Sequence, residues 1–216
     1  MARWAMVIDL RKCIGCSSCI EICKQVNNVP PENEWRRLVE HTAKEGDNVK
    51  RWFVTMNCMH CVNPPCLKVC PTKATYQTKE GIVDIDHKQC IGCGACVLAC
   101  PYKARSINRR SRMSCYERID GSKVEVEMHE HIGICRKCNF CKSLIETGLK
   151  NGLQPGKDPE ATPMCVRYCI SEALAFGNID DPNSKISQIL SQNKIVRILE
   201  ELGTNPVVHY IPDDEI

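Results

Sequence analysis

The chain has 216 residues, enough for one large domain or two small ones, and 18 of them are cysteine, about one in twelve. Disulfide-stapled secreted scaffolds are usually shorter than this, and aromatic residues at 5% leave little for a large apolar core. The formal charge is only +3, and no apolar run approaches the roughly 18–20 residues of a membrane span, which excludes a direct spanning helix.

Met1-Ala2-Arg3-Trp4 leads straight into a strand-like run over residues 4–10, so the expectation is a chain without a secretory signal. The strand enters Cys13-Ile-Gly-Cys16-Ser-Ser-Cys19-Ile-Glu-Ile-Cys23, spaced C-x2-C-x2-C-x3-C. Residues 27–34 are a turn-rich linker, and residues 49–55 predict a strand. The second quartet is Cys58, Cys61, Cys66 and Cys70, spaced C-x2-C-x4-C-x3-C and followed by Pro71; Pro64 and Pro65 widen its loop. Residues 74–76 and 82–85 predict a hairpin closing at Glu80-Gly81. The third quartet, Cys90, Cys93, Cys96 and Cys100, ends in Pro101 and repeats the Cys-Ile-Gly-Cys of residues 13–16, an internal duplication. Gly92 and Gly94 allow the backbone to curl closely there.

Residues 103–112 are basic and read as a solvated strand edge in preference to a docking patch. Residues 122–129 alternate apolar and charged, a half-buried strand whose exposed side accounts for His129 and, just beyond it, His131 without assigning either to metal. Cysteines at 135, 138 and 141 offer two C-x2-C pairs, and Cys165 and Cys169 supply a C-x3-C half. Cys138 and Cys141 complete the fourth quartet in this reading. Cys115 and Cys135 are left as free thiols with packing roles, with Cys135 the substitute for Cys138 or Cys141. Residues 142–164 read as a long loop rich in Gly, Pro and charge. Residues 173–178 predict a strand that pairs with the N-terminal one. Residues 184–202 carry apolar side chains at helical spacing, one broken or two short amphipathic helices, and 206–216 an extended tail.

A C-x2-C-x2-C-x3-C-P run wraps three corners of an iron–sulfur cube and sends its fourth thiolate to a neighbouring cube. Four quartets therefore predict four [4Fe–4S] clusters. Structural zinc takes separated C-x2-C knuckles instead. A cube with four thiolates is an anion, so the nominal charge does not mark a nucleic-acid surface; a structural zinc or nucleic-acid-binding protein is the last alternative. The sequence offers no open metal site, no phosphate loop and no nucleophile with a base. Four cysteines per cube leave no iron free for substrate, so the chain reads as an electron wire and not an enzyme. His60, between Cys58 and Cys61, either hydrogen-bonds a cluster sulfur or points outward.

The order of the quartets, closing on the split C-x2-C…C-x3-C, resembles the four-cluster electron-transfer (beta) subunit of the dimethyl-sulfoxide-reductase (molybdopterin oxidoreductase) superfamily. Relatives there include the small subunits of polysulfide, thiosulfate, tetrathionate and respiratory arsenate reductases. Gly177-Asn-Ile-Asp-Asp-Pro-Asn-Ser-Lys-Ile-Ser is similar to a stretch after the last cysteine of those subunits. The resemblance implies a loop-rich α+β fold of two interlocked bacterial-ferredoxin-like units, with short antiparallel strands and short helices. Residues 1–34 with 130–183 would form the outer unit and 50–112 the inserted one. A connecting strand region would follow at 113–129, then C-terminal helices and a tail at 184–216.

The same resemblance implies the ligand sets. Cys13, Cys16, Cys19 and Cys169 hold cluster 1; Cys138, Cys141, Cys165 and Cys23 hold cluster 2. Cys58, Cys61, Cys66 and Cys100 hold cluster 3; Cys90, Cys93, Cys96 and Cys70 hold cluster 4. It implies a large molybdenum or tungsten bis-pterin catalytic partner, with a membrane anchor, quinone or soluble acceptor at the other end, and no nucleic acid. Assembly is expected in the cytoplasm with membrane association through a partner, export as a folded complex being compatible. A hydrogenase or formate-oxidising complex, or a free polyferredoxin, is the competing setting. Ile170, where a proline commonly follows the last cysteine, and the long 142–164 segment depart from the family pattern.

Overall fold

Trp4–Asp9 is an apolar run closed by one aspartate, and all six of its residues are buried. A strand with no polar face needs cover on both sides. In the computed structural model, which describes residues 2–45, 48–109, 112–117, 123–127 and 131–213, it is β1, the middle of a three-stranded sheet. The chain continues with α1 (Ser18–Asn27), β2 (Arg36–Glu45), β3 (Asn48–Asn57), α2 (Pro65–Lys68), β4 (Thr75–Gln77), β5 (Val83–Ile85) and α3 (Ala95–Leu98). Next come β6 (Ser106–Ile107), β7 (Arg112–Glu117), β8 (Lys123–Glu127), β9 (Cys135–Arg136) and α4 (Lys142–Lys150). The last elements are α5 (Met164–Arg167), β10 (Leu174–Asn178), α6 (Lys185–Gln192) and β11 (Val208–Ile211).

β10 runs antiparallel to β1, from Trp4 opposite Asn178 to Ile8 opposite Leu174, so the strand expected at 173–178 pairs as the sequence suggests. β11 lies parallel on the other side, Met6 opposite Val208. The expected C-terminal tail is thus, over Val208–Ile211, a fully buried strand. β1 would otherwise leave a row of backbone groups unpaired in the core. Tyr210 closes the position by donating its hydroxyl to the Thr55 carbonyl at 3.1 Å.

The segment before it also differs from its apolar spacing. α6 is capped by Ser184, whose Oγ accepts the Ser187 N–H at 3.2 Å. Beyond Asn193 the chain is extended, and Val196 exchanges two 2.8 Å hydrogen bonds with Tyr210. β-branched Ile195 and Val196 gain more from the edge of β11 than from a second helix. A single 3-10 turn at Glu200–Leu202 is what remains helical there.

The remaining pairs are two-stranded: β2–β3, β4–β5, β6–β9 and β7–β8. The β4–β5 hairpin sets Thr75 opposite Ile85. Residues 142–164 are not an open loop. α4 occupies the first part, a 3-10 turn follows at Pro159–Ala161, and Lys142 ties α4 to the hairpin through Tyr76 (2.9 Å) and Asp84 (3.2 Å). Over residues 103–109 the basic stretch is not a solvated edge either, because Ala104, Arg105 and Asn108 are buried; residues 110 and 111 lie outside the described residues. His131 lies against His87, ring centroids 4.5 Å apart. His129 and the side chain of Cys115 lie outside the described residues.

The approach of α4 to the 3-10 turn generates a prediction. A Cβ on Gly148 would lie 2.3 Å from the Ala161 Cβ. Glycine to alanine in a free helix stabilises by about 1 kcal/mol. Here Gly148→Ala is expected to destabilise by about 1–3 kcal/mol through overpacking, read as a lowered Tm. Adding Ala161→Gly is expected to recover most of the loss.

Candidate metal centres

The two Cys-Ile-Gly-Cys loops fold alike. Gly15 and Gly92 take φ of 70° and 65°. Ser17 and Gly94, the equivalent positions two residues on, are both left-handed and open α1 and α3, which carry Cys19 and Cys96. A Cβ on Gly92 would meet the Gly133 carbonyl oxygen at 1.7 Å, so that position accepts only glycine. The C-x3-C halves also match. Pro64 precedes α2 with Cys66, and Pro163 precedes α5 with Cys165.

These loops and helices surround four small cavities. Cys13, Cys16, Cys19 and Cys169 line the first. Cys23, Cys138, Cys141 and Cys165 line the second. Cys58, Cys61, Cys66 and Cys100 line the third. Cys70, Cys90, Cys93 and Cys96 line the fourth, together with Cys135. Among the described residues no three Cys, His, Asp or Glu side chains converge on a single ion position. The sulfurs of each set instead face one another across a space.

The donor chemistry suits a polynuclear cationic core. Burial, with neighbouring sulfurs adding to it, pushes Cys23 and Cys61 up to about 12 and Cys141 to about 11. Four such thiols shed their protons together only beside a metal. Hydrogen-bond donors already face the sulfurs. Asn27 Nδ2 lies 3.7 Å from Cys23, and the Thr75 N–H 3.5 Å from Cys70. Trp35, which lines the second cavity, has a buried indole N–H with no acceptor among the described residues.

Two arginines missed in the sequence stand between cavities. Arg36, fully buried, donates through Nη2 to Cys165 at 3.5 Å and through Nη1 to Thr55 Oγ1 at 3.1 Å. Thr55 in turn is 3.8 Å from Cys19, so Arg36 joins the second set to the first. Arg105 donates through Nη2 to Cys66 at 2.9 Å and through Nη1 to Cys135 at 3.8 Å, joining the third set to the fourth. Burial disfavours both cations, but the surrounding sulfurs outweigh it and raise both pKa values.

The two sites are equivalent by position. Arg36 is two residues before Leu38, which pairs with Thr55 across β2–β3. Arg105 is two residues before Ile107, which pairs with Cys135 across β6–β9. Thr55 and Cys135 each stand three residues before a C-x2-C pair. The repeat escaped the sequence reading because the segments from Cys23 to Arg36 and from Cys100 to Arg105 differ in length.

The second and third sets meet at a ring stack. His60 and Phe140 hold the same place inside Cys58–Cys61 and Cys138–Cys141, both with positive φ, and their centroids are 3.8 Å apart. His60 is fully buried, so it does not point outward. Its Nδ1 accepts the Val83 N–H at 3.1 Å, which puts its own proton on Nε2. Burial first, then Lys137 and Arg105, hold it neutral. Asn57 and Lys137, again equivalent, cap the adjacent carbonyls of Cys58 and Cys138, each at 2.8 Å. Contacts thus join the cavities in the order first, second, third, fourth. Cys135 lines the fourth cavity, and Cys138 and Cys141 the second.

A cation beside cluster sulfurs raises the cluster's reduction potential. Arg36→Gln is expected to lower the potentials of two centres by about 60 mV or more, the one-electron equivalent of one charge-assisted hydrogen bond. Arg105→Gln is expected to lower those of the other two. EPR-monitored redox titration checks both, and the same centres responding to both variants would contradict the placement.

Two 4Fe-4S dicluster domain families match the chain, one over residues 12–74 and the other over 49–126. Among similar proteins is a selenate reductase subunit of Mesobacillus selenatarsenatis, 38% identical, covering 97% of this chain and 72% of that one. The Hdr-like menaquinol oxidoreductase iron-sulfur subunit 1 of Archaeoglobus fulgidus is 35% identical over 96% and 82%. A tetrathionate reductase subunit of Salmonella typhimurium is 37% identical over 99% and 74%. Among the described residues no helix is long and apolar enough to cross a membrane. With this similarity along nearly its whole length, the chain belongs to the iron–sulfur subunits of the molybdopterin oxidoreductase family, the electron-transfer subunits of reductase complexes.

Proposed function

We propose that sixteen of the cysteines hold four [4Fe–4S] clusters in a row, relaying electrons between a molybdenum or tungsten bis-pterin catalytic subunit and a membrane anchor, quinone or soluble acceptor. The observation that carries this is the four cavities, each lined by one of the expected ligand sets. Cys13, Cys16, Cys19 and Cys169 serve cluster 1, and Cys23, Cys138, Cys141 and Cys165 cluster 2. Cys58, Cys61, Cys66 and Cys100 serve cluster 3, and Cys70, Cys90, Cys93 and Cys96 cluster 4. Each quartet then gives its last cysteine to a neighbour's site, which makes two interlocked ferredoxin-like units of 1–34 with 130–183 and of 50–112.

Each cluster, when bound, supplies a one-electron centre whose potential follows its hydrogen bonds, charge and exposure. The chain's own residues hold the thiolates, exclude water from the inner sites and place arginines at two of the three junctions. Cys16 and Cys93, in the first and last sets, are exposed, while every cysteine of the middle two sets is buried or half-buried. Beside them Ile14 and Ile91 are 59% and 66% exposed. These two ends are the contacts for donor and acceptor. Ile170, beside Cys169, is also exposed, so the first end presents an apolar rim. Assembly in the cytoplasm, with membrane attachment only through a partner, completes the reading. The menaquinol oxidoreductase relative favours a quinone-linked complex as the second setting.

Purification of the native complex under anaerobic conditions tests the partner. Molybdenum or tungsten with a large co-purifying chain is expected; nickel, or no partner, would move the chain to a hydrogenase or free-polyferredoxin role. Mutants test the ligand sets. Cys13→Ala and Cys169→Ala are expected to perturb the same EPR component, although the two cysteines lie at opposite ends of the sequence. Changes in two different components would break the interlocked assignment.

A further inference from the structure

The fourth cavity holds one thiol more than its quartet needs. Cys135 lines it, is 1% exposed, and stands with its Sγ 3.6 Å from that of Cys96. Its backbone N–H donates to Cys90 Sγ at 3.4 Å, so β9 lies directly on the ligand loop. The equivalent place in the first cavity belongs to Thr55, 3.8 Å from Cys19 Sγ and bonded by Arg36 as Cys135 is by Arg105. A threonine there supplies the hydrogen bond and fills the space. The same place in the fourth cavity therefore needs no sulfur for either purpose. What the sulfur adds is the capacity to bind iron, at van der Waals distance from a ligand and facing the same space.

Resting on the ligand assignment proposed above, the geometry points to Cys135 as a reserve ligand of the fourth [4Fe–4S] site, able to replace Cys96 at its corner. The exchange forms one sulfur–iron bond and breaks one. The proton leaving Cys135 passes to Cys96, 3.6 Å away, so no oxidant or reductant is consumed. Cys19, with Thr55 beside it, has no such reserve among the described residues.

The test uses the full-length chain, purified anaerobically, with iron and sulfide per chain and the EPR of the reduced protein as readouts. Alanine is used because serine can itself bind iron. C96A is expected to keep the wild-type iron and sulfide content with one altered EPR component. C96A/C135T is expected to lose iron from that site, as C19A does from its own, while C135T alone keeps every cluster. Transplanting the thiol, C19A/T55C is expected to recover the iron that C19A loses. If C96A loses as much iron as C96A/C135T while C19A also loses iron, the reserve role is overturned and the ligand assignment stands. If C19A keeps all its iron, the assignment itself fails. Loss of a cluster in C135T with none in C96A would make Cys135 the resident ligand and also overturn the inference. Should C96A give no folded chain, C96V replaces it, and failure of both beside a folded C19A counts against the reserve role.

Discussion

Sixteen cysteine sulfurs facing four cavities set the terms for the rest of the structure. In the second and third sets burial disfavours thiolate, as Cys23, Cys61 and Cys141 show, so those sets are stable as anions only around a metal core. The regular elements are too small to impose this arrangement alone. α2, α3 and α5 are four residues each, and among the described residues four of the five sheets are two-stranded. Helices so short do not form in isolation, and lone hairpins are marginal. Each set instead draws cysteines from segments far apart in sequence, Cys13 with Cys169 and Cys23 with Cys138. A metal core in each proposed set would close those long loops, and the three-stranded sheet, β10-β1-β11, gives the closure something to lean on.

Anionic sites at close quarters repel one another, and the chain answers with buried cations. Arg36 and Arg105 each touch sulfurs of one set and a residue standing beside the next. An unpaired guanidinium would be costly in these positions, and so would unpaired thiolates; each makes the other tolerable. The middle junction is built differently. There a neutral His60 stacks on Phe140, with Lys137 behind it bonding the Val83 and Cys138 carbonyls. The electrostatic environment therefore differs along the row, which is the lever a protein has for grading potentials among chemically identical clusters.

The cysteine quartets were legible because their spacing is a local property: a few residues of chain must reach adjacent corners of one site. Which quartet lends its last cysteine to which is a long-range property, and spacing carries no trace of it. That came only through family resemblance. Strands β1, β5 and β10 announced themselves by apolar composition, whereas β11 was hidden in a run that reads equally well as a tail. The helical spacing at 195–202 was real but lost to the open edge of β11. Arg36 and Arg105 were illegible for a different cause. A charged residue in a basic stretch reads as solvated unless the anions that surround it can be placed, and those anions come from other segments.

The duplication reaches further than the cysteines, and its symmetry explains the layout. His60 and Phe140 occupy the same place in two equivalent C-x2-C loops and stack on each other, so the proposed units would meet through equivalent surfaces. Such a contact sends equivalent features to opposite ends. Cys16 and Cys93, with Ile14 and Ile91 beside them, are those features, and all four are exposed. A symmetric wire has no direction of its own. Direction must come from what breaks the symmetry: Thr55 against Cys135 beside the outer sets, Pro71 and Pro101 against Ile170 and Lys24 after the quartets, and α4, which follows the Cys138–Cys141 loop where a four-residue helix, α2, follows Cys58–Cys61. The first of these lies within 4 Å of a ligand sulfur at both ends, so it differentiates the two outer sites most directly.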